Sequence, residues 1–218
     1  MKFTIVHLYH DLLNLYGASG NIKVLRRYLE NQGVVVEVIE ASVNSDINYE
    51  SADMIYLSSG TEESLELARK DLLQRKNNII TFIDSEKFIY AEGNSLELFC
   101  NTVNGKEGLA LYDYDVTYHD RIKEEVDFVS SLVPERIYGF INAYSLIEKN
   151  DDLIEYGFII KNLTACYLLG PIFARNPHLT EFYVKKMMNY LDPSLEIKNF
   201  ANELDHQAYI EYIEILNN

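Results

Sequence analysis

Tryptophan is absent from this chain of 218 residues, cysteine occurs twice, proline four times and glycine ten times. Two cysteines are too few for a disulfide framework, and Cys100 and Cys166 show no metal-binding spacing, so both read first as small buried apolar residues. Sparse glycine and proline exclude fibrous and low-complexity chains, and no stretch approaches the roughly 20 consecutive apolar residues of a membrane span. Basic residues are also scarce, 19 against 34 acidic ones, leaving a formal charge of −15. Such a surface repels a phosphate backbone unless its cations cluster. The nearest approaches to a cluster, Lys23 with Arg26 and Arg27, and Lys185 with Lys186, read as solvated helix faces, so nucleic acid is not an expected partner. The amino terminus runs from Met1 through His7 into a polar segment without an apolar leader, and a cytoplasmic location is the default expectation.

What is present is a core. Hydrophobic residues make up 48% of the chain and aromatic residues 12%, enough to bury a substantial interior. Phe3–Leu8, Val34–Ile39, Met54–Leu57 and Ile79–Ile83 read as short strands. Ile22, Leu25 and Leu29 mark a helix that ends at Gly33, and Leu65, Ala68, Leu72 and Leu73 mark another between the third and fourth strands. Strands alternating with helices imply a mainly parallel sheet, covered on both faces, with ligands at the carboxyl ends of its strands. Beyond residue 100 the apolar runs shorten and alternate with polar residues: Leu109–Tyr118, Glu125–Leu132, Ile137–Ile141, Leu146–Glu148 and Tyr156–Ile160. They predict an antiparallel extension of the sheet. Thr164–Leu169 is a further apolar strand, a helix follows Asn176-Pro177, and the tail Leu204–Leu216 predicts a last amphipathic helix. No linker or repeat divides residues 1–218, which predicts one domain.

Five segments carry a resemblance. Leu8 to Asn21 is similar to LYPDLxNLYGDRGN, Ser58-Ser59-Gly60-Thr61-Glu62 after the third strand looks like GGGQD, Gly139-Phe140-Ile141-Asn142 stands where GFENH is found, and Tyr167 to Pro177 parallels YLHGPLLxxNP. Together they resemble the class I glutamine amidotransferases of the cobyric acid synthase type, in particular the amidotransferase subunits of lipid II isoglutaminyl synthases. The resemblance implies a flavodoxin-like α/β fold. It also implies a role beside a Mur-ligase-like, ATP-dependent synthetase acting on cell-wall precursor, with no metal and no cofactor.

The fifth segment in that family is a strand followed by ICGGYQ, where a sharp turn presents a nucleophilic cysteine. Placed after Ile79–Ile83, it puts Asp84 at the cysteine, Ser85 and Glu86 at the two glycines, Lys87 at the tyrosine and Phe88 at the glutamine. Leu169 stands at the histidine that would be the base, and leucine moves no proton. No catalytic residue is therefore expected. Ser59, Gly60, Ser85, Glu86, Asn142 and His10 are the candidates for a surviving pocket, and Asp84 is either the cap of a helix beginning at about Ser85 or a carboxylate held ionised at the elbow, as a nucleophile in other chemistry would be. Two alternatives stand beside this reading: an active amidotransferase whose elbow lies elsewhere, and altered chemistry drawing on Asp84, Glu86, Lys87, Asn142 or His10. Tyr209, Tyr212, Ile213 and Leu216 in the tail form either an interface or a stripe that docks the last helix on its own core.

Overall fold

A computed structural model describes residues 1–17, 19–147 and 154–216. Its central sheet is built around β1 (Lys2–Leu8), whose apolar run is buried on both faces, as a strand flanked by parallel neighbours must be. β1 pairs in parallel with β2 (Val35–Ala41) on one side and β3 (Met54–Leu57) on the other. β3 then pairs in parallel with β4 (Phe88–Glu92), and β4 with β11 (Leu163–Cys166). The antiparallel edge strand β10 (Gly157–Ile160) completes the order β10-β11-β4-β3-β1-β2. Apart from that edge strand, this is the doubly wound, flavodoxin-like order.

The chain steps one way from β1 to β2 through α1 (Ser19–Asn31) and the opposite way from β3 to β4 through α2 (Glu62–Gln74) and α3 (Lys76–Asp84). Right-handed crossovers therefore place these helices on opposite faces. α4 (Ile172–Arg175) and α5 (Pro177–Leu191) pack against α1. A 3₁₀ segment, Gly93–Phe99, follows β4 directly.

The expected strand at Ile79–Ile83 is instead most of α3. Ile79, Phe82 and Ile83 are buried while Thr81 is exposed and Ile80 only half-buried, so the run is one stripe of an amphipathic helix at i, i+3, i+4. The strand in this part of the chain is Phe88–Glu92. The antiparallel region also differs from expectation. β5 (Cys100–Val103), β6 (Lys106–Glu107) and β7 (Tyr112–Val116) form a separate small sheet, and β8 (Ile122–Ser130) with β9 (Val133–Ala143) a separate hairpin; only β10 extends the main sheet. Leu146 and Ile147 are not in a strand, and Glu148 lies outside the described residues.

The last helix, α6 (Glu203–Leu216), buries only Tyr209. Tyr209 donates from its hydroxyl to Arg136 O at 2.8 Å, and Tyr209 and Tyr212 meet the Tyr138 ring edge-on. The tyrosines of the tail thus dock the helix on its own chain, while Ile215 and Leu216 face solvent. Among the described residues no helix is long and apolar enough to cross a membrane.

Candidate functional site

The carboxyl ends of β1, β3 and β4 bring three turns together. After β3, Ser58, Ser59 and Gly60 are buried. A β-carbon at Gly60 would stand 2.5 Å from Leu13 Cδ2 and 2.9 Å from Leu12 O, so only glycine fits under the loop that follows β1. After β4, the chain turns at Gly93 with φ of +61° into the 3₁₀ segment. A β-carbon there would meet Ser59 Cβ at 2.6 Å and Leu169 Cδ2 at 2.7 Å.

Glu92, the last residue of β4, is completely buried. It accepts from Asn21 Nδ2 at 2.5 Å and from Ser58 Oγ at 3.2 Å, and Tyr56 donates to it as well. Burial raises its carboxyl to about 7, against the downward pull of those three donors. Asn21 also donates to Tyr56 Oη at 2.9 Å and accepts the Phe173 backbone N–H at 2.9 Å. One carboxamide thus ties the first turn of α1, the end of β4 and the segment that opens α4. A second buried carboxyl, Glu97 in the 3₁₀ segment, accepts from Ser145 Oγ at 2.7 Å and Tyr118 Oη at 3.0 Å, and burial likewise raises it to about 7.

Beside these turns lies a cavity of about 210 Å³ lined by Tyr16, Ser59, Gly60, Asn94, Arg121 and Asn142, among others. Asn142 Nδ2 donates to Tyr16 Oη at 2.8 Å, and Arg121 Nε donates to Asn142 Oδ1 at 2.6 Å. The Arg121 guanidinium also lies 5.7 Å from the centre of the Tyr144 ring. Asn94 Oδ1 accepts from Ser59 Oγ at 3.0 Å and Gly60 N–H at 3.1 Å, and its Nδ2 returns a bond to Gly60 O at 2.9 Å.

Of the residues expected in a pocket, Ser59, Gly60 and Asn142 do converge there. Ser85, Glu86 and Asp84 do not. They end α3 and precede β4, at the amino-terminal edge of the sheet, opposite the cavity. Asp84 is exposed and paired with Lys161 Nζ at 2.6 Å, Ser85 Oγ donates to Thr81 O at 2.8 Å, and Glu86 occupies a left-handed turn with φ of 58°. Lys87 Nζ donates to the carbonyls of Tyr49, Glu50 and Ala52 at 2.7–2.8 Å. None of the four lines the 210 Å³ cavity; Ser85 and Lys87 instead line a separate cavity with Tyr49 and Phe82. The displacement follows from α3, because taking that helix for a strand puts a strand end at Ile83, whereas the strand in this part of the chain ends at Glu92. His10 follows β1 but turns towards β2, with Nδ1 3.8 Å from Glu40 and its ring 6.2 Å from His7. Tyr16, Asn94 and Arg121 line the cavity and Glu92 lies buried beneath the turn at Gly93, and the sequence motifs do not single out any of the four as pocket residues. Tyr16 lay inside a recognised motif, and an apolar strand ending in Glu92-Gly93 was the available signal for the elbow.

Neither cysteine lies at a turn of this cavity. Both are free and buried, and burial raises the Cys100 thiol far above its ordinary range and Cys166 to about 12. Among the described residues no three His, Cys, Asp or Glu side chains gather as a metal site requires.

Comparison with known proteins fits this geometry. The CobB/CobQ-like glutamine amidotransferase domain matches residues 4–177. The chain is 25% identical over 240 aligned positions to the lipid II isoglutaminyl synthase (glutamine-hydrolyzing) subunit GatD of Staphylococcus aureus, covering 95% of this chain and 93% of that protein. It is 26% identical over 239 positions to the subunit of the same name from Streptococcus pneumoniae, covering 98% and 92%.

Proposed function

This chain belongs to the CobB/CobQ-like glutamine amidotransferase family, and from that membership we propose that it is a subunit of an amidating synthetase that has lost glutamine hydrolysis. The observation that carries the reading is the turn after β4. The family's ICGGYQ follows a strand, and the strand here ends at Glu92. The cysteine position is therefore Glu92, the two glycines are Gly93 and Asn94, and the tyrosine and glutamine are Ser95 and Leu96. A carboxylate attacking the amide of glutamine would form an anhydride in place of a thioester, a far less accessible product from an unactivated amide. Glu92 is moreover turned inward and enclosed by Asn21, Tyr56 and Ser58. The base position, Leu169, is buried and packs against Gly93, where a histidine would have to reach the nucleophile.

The subunit role is supported by the two relatives, each a subunit by name and each covered over more than nine-tenths of its length. The partner that fits is a Mur-ligase-like, ATP-dependent synthetase. The test is affinity purification of the full chain from its native cells, followed by an amidation assay on the recovered complex with ammonium chloride or L-glutamine as nitrogen donor. The expected result is a near-stoichiometric synthetase that uses ammonium and not glutamine. A complex that uses glutamine as well as ammonium, with no other amidotransferase present, would overturn the reading.

A further inference from the structure

A planar carboxamide already fills the polar turn at the carboxyl end of β3. Gly60 has its N–H and its C=O bonded by one side chain, Asn94, which donates through Nδ2 and accepts through Oδ1, while Ser59 Oγ adds a second donor to the same oxygen. This three-bond arrangement is a primary-amide receptor: two donors meet the amide oxygen and one acceptor meets the amide nitrogen. An amide from solution would need those groups. The receptor opens onto the 210 Å³ cavity, and within it Arg121 forms no ion pair with a carboxylate among the described residues. Its partners are neutral, Asn142 Oδ1 and Tyr16 Oη.

We propose that Asn94 is a built-in occupant of an amide-binding subsite, an internal plug that keeps small primary amides out of the cavity. The inference rests on the reading of the site as a non-hydrolysing amidotransferase pocket, and it adds the agent of exclusion. Nucleophile loss bears on chemistry, whereas Asn94 bears on binding, because its carboxamide is tethered and competes at every encounter with a ligand that must first give up its freedom of motion. Asn94 is itself buried, at 7% exposed, so its carboxamide is held in place against Gly60.

The test is the backbone N–H resonance of Gly60 in ¹⁵N-labelled protein titrated with L-glutamine, with L-glutamate as the control that lacks the amide. The wild type should show no saturable shift with either. Asn94→Gly should show a saturable Gly60 shift with L-glutamine and none with L-glutamate, with affinity at least about tenfold above any wild-type binding, the scale of one or two freed hydrogen bonds. Asn94→Ala serves the same purpose if the glycine variant does not fold, since it also removes the carboxamide. A wild-type protein that binds L-glutamine at Gly60 as tightly as the variants overturns the proposal, as does a folded variant whose Gly60 resonance ignores L-glutamine. Wild-type binding without ammonia release would remove the plug and leave the non-hydrolysing reading intact, whereas ammonia release by the wild type would remove that reading.

Discussion

Asn21 and Glu92, 71 residues apart, share a buried hydrogen bond of 2.5 Å, and through it the first turn of α1 holds the end of β4. In a catalytic elbow the residue at the strand end points outward to meet substrate. Here it points into the protein, and the donors Asn21, Tyr56 and Ser58 hold it there.

This arrangement makes stability depend on pH in a definite direction. Glu92 and Glu97 each titrate near 7 in the folded chain against an ordinary value of 4.5, so between these limits the folded chain binds more protons than the unfolded one. Their burial costs nothing below about pH 4.5, and stability falls as pH rises through 7, by about 3 kcal/mol for each group. His7, lowered by burial to about 4, and His178, also lowered by burial, act oppositely and add stability as pH rises towards 6.5, which offsets part of the loss from the two carboxyls. Urea unfolding at pH 5 and pH 8 should show the wild type weaker at pH 8, and Glu92→Gln should remove about half of that difference. An unchanged pH slope in the variant would show that Glu92 is not the titrating group.

Gly93→Ala tests the closeness of Ser59 and Leu169. Alanine at φ of +61° is strained, and its β-carbon would collide with Ser59 and Leu169. A loss of about 2–4 kcal/mol in denaturant unfolding is expected. A loss under about 0.5 kcal/mol would mean that the turn relaxes freely and that the space above Gly93 is open.

Asp84→Asn provides the contrast. Asp84 lies at the far edge of the sheet in an exposed pair with Lys161, an interaction worth about 0–1 kcal/mol. The variant should match the wild type in stability within about that amount and bind the synthetase equally well in a pull-down. Lost binding would place the partner at the amino-terminal edge of the sheet.

Much of this was legible in the residues. Met54–Leu57 was read as the strand it is, and the motifs from Leu8 to Asn21 and from Tyr167 to Pro177 pointed to a family whose domain matches residues 4–177. Ser59, Gly60 and Asn142, which the motifs single out, line one cavity. The elbow was misread because Ile79-Ile80-Thr81-Phe82-Ile83 is rich in β-branched residues, and a five-residue apolar run does not reveal whether its period is two or 3.6. Packing beneath α3 decided it. Arg121 was invisible for another reason: its place beside Asn142 comes from the β8–β9 register, which pairs Lys123 with Asn142 and depends on tertiary structure.

Placing a cysteine and a histidine at positions 92 and 169 should not yield glutaminase activity. Glu92→Cys with Leu169→His supplies a thiol and an imidazole but leaves Asn94 across Gly60. The double variant should release no ammonia from L-glutamine and form no thioester detectable by mass spectrometry. Accumulation of a glutamyl thioester would show that Asn94 does not block the subsite.

The most direct test of the account is ammonia release from L-glutamine by the purified wild-type chain, measured alone and with its captured synthetase against a heat-killed control. The account predicts no release above the control in either state. Turnover above it, abolished by Glu92→Gln, would contradict the account and make Glu92 a working residue.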